Sequence, residues 1–95
     1  MSDYRISSEA KDDLIRIHQY GIERFGMRQA DKYFDAFFDY FDRIAGSPYS
    51  FESVDFIKHG YRRCPCGSDT LYYRVSEDSV EIMTIIGQQD LRKLR

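Results

Sequence analysis

The sequence of 95 residues is 42% hydrophobic and 32% charged and carries a formal net charge of −2, so it can bury one hydrophobic core and is expected to form a single domain over residues 1–95. It shows neither a basic start followed by an apolar run nor an apolar stretch of about 20 residues, which favours a cytoplasmic protein without signal peptide or membrane span. The basic excess of proteins that grip a phosphate backbone is missing, so direct nucleic-acid binding is not expected.

The first half of the chain is predicted to form a short strand and a helical hairpin. Residues 4–6 alternate in polarity as a strand does, and Ser7 or Ser8 can cap the helix that follows. Gly26 ends this helix, and a second helix runs from Met27 or Arg28 to about residue 45. The apolar stripe of the first helix consists of Ala10, Leu14, Ile17, Gly21 and Phe25.

The second half is predicted to be a sheet. The period of the apolar residues changes to two, which indicates strands at residues 56–58, 61–64, 70–76 and 79–87. In the last strand, Val80, Ile82, Thr84 and Ile86 are expected on one face and Glu81, Met83 and Ile85 on the other. Because both faces of this strand are apolar, it should be central in the sheet or covered by a partner.

The predicted fold is therefore α+β. An N-terminal strand and an antiparallel helical hairpin pack on one face of a mostly antiparallel sheet of four to five strands.

Short motifs are spread along nearly the whole chain. They are Ala10-x-x-Asp13-Leu14, Gly26-x-x-x-Ala30-x-x-Tyr33, Gly60-Tyr61-Arg62-Arg63, Leu71-Tyr72-Tyr73-Arg74-Val75 and Val80-Glu81-Ile82. In this order and at this spacing they resemble the ParE-type toxins of the RelE/ParE superfamily. One departure is Gly87, where the family commonly has histidine.

The resemblance implies a function as well as a RelE/ParE-like fold. It implies the toxin component of a bacterial type II toxin–antitoxin system that inhibits DNA gyrase by protein binding, without chemistry and without a cofactor. It also implies neutralisation by a ParD-like antitoxin in a heterotetramer or a larger complex.

A RelE-like mRNA interferase, that is, a ribosome-dependent ribonuclease, is the main alternative. Cleavage of RNA through its 2′-hydroxyl needs a base, an acid and cations that stabilise the developing phosphate charge. The basic residues of the ribonuclease relatives correspond to Arg62, Cys64, Thr70 and Gln89, of which only Arg62 is cationic. No catalytic residue is therefore expected. A toxin-fold binding module that has lost toxicity is a third possibility, which Gly87 keeps open.

Function is expected on the face of the sheet that points away from the helices. A cationic patch there would engage the target and be masked by an acidic antitoxin segment. Tyr72 and Tyr73 must point to opposite faces of their strand, so one is expected in the core and the other exposed. The residues expected to bind the target or the antitoxin are Arg62, Arg63, Tyr73, Arg74, Gln89 and Arg92.

The two cysteines flank Pro65. A metal site would need further histidine or cysteine ligands at a suitable spacing, and none accompanies them, so no metal is expected. Cys64 and Cys66 are interpreted as half-buried strand residues around a proline.

Overall fold

The computed structural model describes residues 3–87, which form two helices and five strands. In chain order these are β1 (Asp3–Ile6), α1 (Ser8–Phe25), α2 (Met27–Gly46), β2 (Glu52–Ser53), β3 (Tyr61–Cys66), β4 (Asp69–Val75) and β5 (Ser79–Gly87). The strands form one sheet in the order β1-β5-β4-β3-β2, in which only β1 and β5 are parallel among these described strands. The predicted α+β fold is confirmed.

The ends of both helices follow the sequence signals. Ser7 caps α1, because its hydroxyl accepts a hydrogen bond from the Ala10 N–H at 3.0 Å. Gly26 ends α1 at φ +90°, a backbone conformation that favours glycine, and its N–H donates to the Ile22 carbonyl. With a single residue between them, α1 and α2 form the predicted hairpin.

The main core lies between the hairpin and one face of the sheet. Aromatic rings of α2 dominate the helical side, and Phe41 packs at ring-centroid distances of 5.3 Å against both Tyr4 and Phe38. The fully buried members of this core include Ala10, Phe37, Phe41, Ile44, Leu71, Tyr73, Ile82 and Ile85. The wide apolar stripe of α2 is therefore packing surface.

The prediction of a strand at residues 56–58 is wrong. The strand that precedes β3 is β2, where Glu52 and Ser53 pair with Arg63 and Arg62. Residues 56–58 form turns instead, because the N–H groups of residues 57 and 58 both donate to the Val54 carbonyl. These local hydrogen bonds replace the ladder bonds that a strand would require.

A β-bulge in β5 changes which side chains face the helices. Tyr72 pairs with Thr84 and Tyr73 with Ile82, so Met83 has no partner in the ladder. The extra residue shifts the alternation, and Ile85 joins the main core while its neighbour at position 86 faces the other way. The predicted common face of residues 80, 82, 84 and 86 is therefore wrong.

Helix α1 holds this bulge through polar contacts. The Ser7 hydroxyl donates to the Met83 carbonyl at 2.8 Å. Asp13 is 4% exposed, and its Oδ2 accepts hydrogen bonds from the Ile85 N–H and the Thr84 hydroxyl, both at 2.9 Å. The irregular backbone of β5 thus keeps its hydrogen bonds in a buried setting.

The prediction of a central last strand is confirmed, because β5 lies between β1 and β4. On one side β5 pairs with β4, and on the other it pairs with β1 at residues 79–82, beyond which Ser7 and Asp13 bind its backbone at Met83 and Ile85. Neither described helix has the length and apolar character that crossing a membrane requires.

Candidate functional site

The sheet face that points away from the helices carries a second, smaller apolar cluster. Leu71 and Tyr73 belong to the main core, so Tyr72 between them must point to the opposite face. There it packs with Val54, Tyr61 and Ile86, all at most 8% exposed. The connection between β2 and β3 contributes Val54, so this connection covers part of the face that was expected to be open.

Arg63 lies on this second face, opposite Tyr72 in the ladder. Its Nε and Nη2 donate to Oε1 and Oε2 of Glu52 at 3.0 and 3.1 Å. This two-pronged hydrogen bond raises the pKa of the Arg63 guanidinium, whose side chain remains 33% exposed. The expected cation is present, but a carboxylate of the same chain already binds it.

Arg74 lies on the same face and also pairs with a carboxylate, through a single hydrogen bond. It stands opposite Tyr61 in the ladder, and its Nε donates to Oε1 of Glu81 at 2.8 Å. The Arg74 side chain is 52% exposed, so one edge of its guanidinium remains open to solvent. The second face therefore presents two ion pairs above an apolar cluster, and its charge is close to balanced.

Arg62 points to the other side of the sheet, because neighbouring residues of a strand alternate. It stands opposite Tyr73, donates from Nη1 to the Phe51 carbonyl at 2.8 Å and lies 5.0 Å from the ring centroid of Tyr49. The prediction that Arg62 shares a patch with Arg63 and Arg74 on the open face is therefore wrong.

Tyr73 is fully buried in the main core, which contradicts its predicted role in binding. Its hydroxyl donates to the Pro48 carbonyl at 2.7 Å, and burial raises its pKa to about 12. Tyr72 is 1% exposed, so the expectation that one of the two tyrosines is exposed is also wrong. The cause is the second apolar cluster, which covers Tyr72. Gln89 and Arg92 lie outside the described residues.

Cys64 and Cys66 point into the main core and are 1% and 2% exposed. The Cys66 thiol donates to the Cys64 carbonyl at 3.3 Å. Contact between the two sulfur groups raises the pKa of Cys66, together with burial, and lowers the pKa of Cys64. Within residues 3–87, no group of three or more histidine, cysteine, aspartate or glutamate side chains is placed to hold a metal ion.

The positions that correspond to the basic residues of the ribonuclease relatives offer little for proton transfer. Arg62 is bound to a backbone carbonyl, Cys64 is buried in the core, and Thr70 carries a hydroxyl that does not titrate near neutral pH. His18 lies between the helices, where its Nε2 is 2.7 Å from an oxygen of Asp31.

A groove under the tip of the helical hairpin was not anticipated. It has a volume of about 990 Å³, and we call it the hairpin groove. The residues that define it here are Arg16, Tyr20, Phe25, Arg28, Lys32 and Asp69. The spacing of Arg28 and Lys32, four positions apart on one side of α2, is the sequence signal that could have indicated it.

Comparison with known proteins agrees with this architecture along the chain. Residues 4–92 match the model of a family described as the ParE toxin of type II toxin-antitoxin system, parDE. Toxin ParE1 of Caulobacter vibrioides is 36% identical over 88 residues, which cover 93% of this chain and 91% of that protein. Toxin ParE1 of Mycobacterium tuberculosis is 33% identical over 89 residues, with the same coverage of both.

A solved structure supports the fold independently. A chain of the chromosomal ParDE TA system from P. aeruginosa matches with a TM-score of 0.80 at 16% identity, covering 92% of this chain and 96% of that one. The structural match confirms the hairpin-on-sheet architecture, and the sequence matches establish the family. The chain belongs to the ParE toxin family of type II toxin–antitoxin systems.

Proposed function

We propose that this toxin inhibits DNA gyrase by binding it and that a ParD-like antitoxin neutralises the toxin. The observation that carries the proposal is the family match over residues 4–92, together with relatives above 30% identity that span nearly the same length. The toxin is expected to act in the cytoplasm, where gyrase and the antitoxin are made.

The proposal assigns no catalytic step to the toxin. It is supported by the state of Arg63 and Arg74, which are held by Glu52 and Glu81 on a face with an apolar centre. Ion pairs above apolar surface suit recognition of a protein, since charge complementarity gives specificity and apolar burial gives affinity.

A supercoiling assay tests the proposed target. Purified toxin is added to gyrase, ATP and relaxed plasmid, and the expected result is loss of supercoiling with accumulation of cleaved plasmid. Preincubation with the antitoxin encoded beside the toxin gene is expected to restore supercoiling. Unchanged supercoiling at a large excess of toxin would contradict gyrase as the target.

The same preparation distinguishes the two other functions. Cleavage of a transcript on translating ribosomes would identify the mRNA interferase and overturn the binding mechanism. Normal growth of bacteria that express the toxin without antitoxin would identify a binding module without toxicity.

Arg63 and Arg74 remain our proposed contact residues for the target, because both side chains are partly exposed. The variant Arg74→Glu is expected to raise the toxin concentration for half-inhibition of gyrase about tenfold, since it places two acidic residues opposite each other. Lys11→Glu, at an exposed position of α1 on the other side of the molecule, is the matched control and should inhibit as the wild type does. Equal inhibition by both variants would remove Arg74 from the contact surface.

We propose that toxin and antitoxin form a complex of two toxins on one antitoxin dimer. Light scattering coupled to size-exclusion chromatography of the co-purified complex gives its mass directly. A mass that corresponds to a single toxin and a single antitoxin would contradict this stoichiometry.

A further inference from the structure

Three charged side chains lie side by side on the second face of the sheet. Arg5 of β1 and Arg74 of β4 both stand opposite Glu81 of β5 in their ladders. The sequence neighbours of Arg5 and of Glu81 pack in the main core, so these two side chains point to the second face, as Arg74 does. Because neighbouring strands lie about 4.8 Å apart, the two arginines flank the glutamate closely. We call Arg5, Glu81 and Arg74 the charged row.

The charged row holds two guanidinium groups and one carboxylate. Oε1 of Glu81 accepts a hydrogen bond from Nε of Arg74 at 2.8 Å, whereas Arg5 forms no ion pair with another residue in the range 3–87. Arg5 is exposed, and the Arg74 side chain is 52% exposed. Within the described part of the chain, one positive charge of the row therefore has no carboxylate paired with it.

A further cation lies beside the charged row. Tyr61 stands opposite Arg74 in the ladder, and Nζ of Lys58 lies 5.4 Å from the centroid of the Tyr61 ring. Lys58 is exposed and takes part in none of the ion pairs found among residues 3–87. An anionic group of a partner that binds Arg74 therefore meets positive charge on both sides of it, from Arg5 and from Lys58.

The surroundings of the charged row select among anionic partners. Asp3 precedes Arg5 on β1, and Glu77 and Asp78 lie in the connection from β4 to β5. A nucleic-acid backbone repeats its negative charge at short intervals, so these carboxylates would repel it. A single carboxylate on a protein surface avoids them and matches the planar fork of a guanidinium. The charged row therefore favours an acidic side chain of a protein over a nucleic acid.

We infer that Arg5 and the open edge of Arg74 together bind a carboxylate on the surface of gyrase, and that Glu81 holds Arg74 in position for this contact. The inference rests on the proposed function, because it takes gyrase as the target. It adds Arg5 to the contact surface. The carboxylate of the target supplies the second negative charge to a row that has two positive ones. Glu81 has the same sign as this carboxylate and therefore also weakens its binding.

Removal of the charge at position 5 tests the role of Arg5. Binding of gyrase to immobilised toxin is measured by biolayer interferometry. Arg5→Gln is expected to bind about tenfold more weakly, whereas Arg5→Lys keeps the charge and should bind within about threefold of wild type. Lys11→Gln is the matched control, because it removes the same charge from an exposed position of α1, and should bind within about twofold. Circular dichroism and thermal unfolding verify that each variant folds.

The variant Glu81→Gln tests the sign of the charge that the target presents. The amide oxygen of glutamine keeps an acceptor for Nε of Arg74, and the substitution removes the negative charge beside the proposed carboxylate. Gyrase is therefore expected to bind this variant about threefold more tightly than wild type. Unchanged or weaker binding would overturn the assignment of a target carboxylate to the charged row.

The outcomes separate this inference from the function on which it rests. If wild type binds gyrase and Arg5→Gln and Lys11→Gln bind equally tightly, Arg5 is removed from the contact surface and the proposed function stands. If wild type itself does not bind gyrase, both fail. A short DNA duplex is expected not to bind the toxin at physiological ionic strength. Binding of this duplex that Arg5→Gln abolishes would assign the charged row to phosphate groups and overturn the inference.

Discussion

Asp13 contributes more to the stability of the fold than its position on α1 suggests. The carboxylate is buried and accepts hydrogen bonds from the Thr84 hydroxyl and the Ile85 N–H, at the bulge of β5. A bulge leaves backbone groups without ladder partners, and a buried N–H without an acceptor is costly. The aspartate in the first motif of the chain therefore has a structural role in joining α1 to the sheet.

Replacement of Asp13 by alanine is expected to lower the free energy of unfolding by about 3 kcal/mol, because the buried Ile85 N–H loses its acceptor and the Thr84 hydroxyl keeps only Glu9 as an acceptor. Asp12→Ala is the matched control at an exposed position of the same helix and should change it by less than about 0.5 kcal/mol. Urea unfolding followed by circular dichroism measures both. Similar values for the two variants would show that the bulge keeps its stability without the carboxylate.

The buried hydroxyl of Tyr73 is expected to make the protein less stable at alkaline pH. Burial raises the pKa of its hydroxyl to about 12, above the ordinary value near 10, so the folded state holds the phenolic proton more tightly than the unfolded state. This contribution to stability is complete below about pH 10 and is lost as the pH rises through about 12. The unfolding free energy of wild type should therefore fall across this range, and that of Tyr73→Phe should fall less steeply. Parallel pH profiles of the two proteins would exclude Tyr73 as a source of the loss.

At the scale of elements, the turn between β3 and β4 is fixed by one glycine and one tyrosine. Gly67 adopts φ +65°, which side chains disfavour, and a Cβ placed there would lie 2.7 Å from Cε1 of the Tyr33 ring. The Tyr33 hydroxyl in turn donates to the Cys66 carbonyl at 2.8 Å. The turn and α2 are thus packed together beside the hairpin groove, which Tyr33 lines.

Gly67→Ala is expected to lower the unfolding free energy by about 2 kcal/mol, through the strained backbone and the displaced ring. Gly46→Ala is the matched control at the last residue of α2, where a Cβ meets nothing within 4 Å and φ is not positive. This control should be neutral or slightly stabilising, because alanine favours helix over glycine. A thermal shift that is equal in both variants would contradict the packing argument.

The elements that the sequence predicts well depend on local signals. The capping serine at position 7, the break at Gly26 and the apolar period of α2 act within a few residues, and the structure has both helices within one residue of their expected bounds. The short β2 and the bulge at Met83 depend on pairing with distant residues. No local pattern marks them, so the expected strand at 56–58 and the uniform faces of β5 were wrong.

The candidate site was predictable to a similar extent. Alternation along β3 and β4 places Arg63 and Arg74 on one face, but their pairing with Glu52 and Glu81 requires the register of three strands. The same register decides that Tyr73 points into the main core. Residues that touch only through tertiary structure could not be paired from sequence.

At the scale of the whole molecule, each face of the sheet carries a buried apolar cluster within the described chain. The hairpin covers one face, and the connection from β2 to β3 covers part of the other. Ninety-five residues therefore support two apolar clusters, and the groups left for partners lie at the rims: Arg74, its neighbours on the second face, and the hairpin groove.

Burial of both cysteines leads to a prediction about the reactivity of their thiols in the folded protein. β2 pairs with β3 only at Arg62 and Arg63. Among the described strands, the Cys64–Cys66 segment therefore pairs with β4 on one side and with no strand on the other. The lowered pKa of Cys64 favours reaction of this thiol, whereas its 1% exposure prevents contact with reagent. We expect burial to prevail, so that neither thiol reacts with Ellman's reagent in native buffer and both react in concentrated guanidinium chloride.

The rate of the slow native reaction then reports how the thiols become accessible. If access requires global unfolding, Asp13→Ala should accelerate labelling of both cysteines by the factor that corresponds to its loss of unfolding free energy, roughly 100-fold for 3 kcal/mol. Ser50→Cys, at an exposed position, is the control and should add one thiol that reacts at once. Rapid labelling of a single native thiol, unaffected by Asp13→Ala, would instead show that β3 separates from β4 while the hydrogen bonds from Asp13 to β5 stay intact.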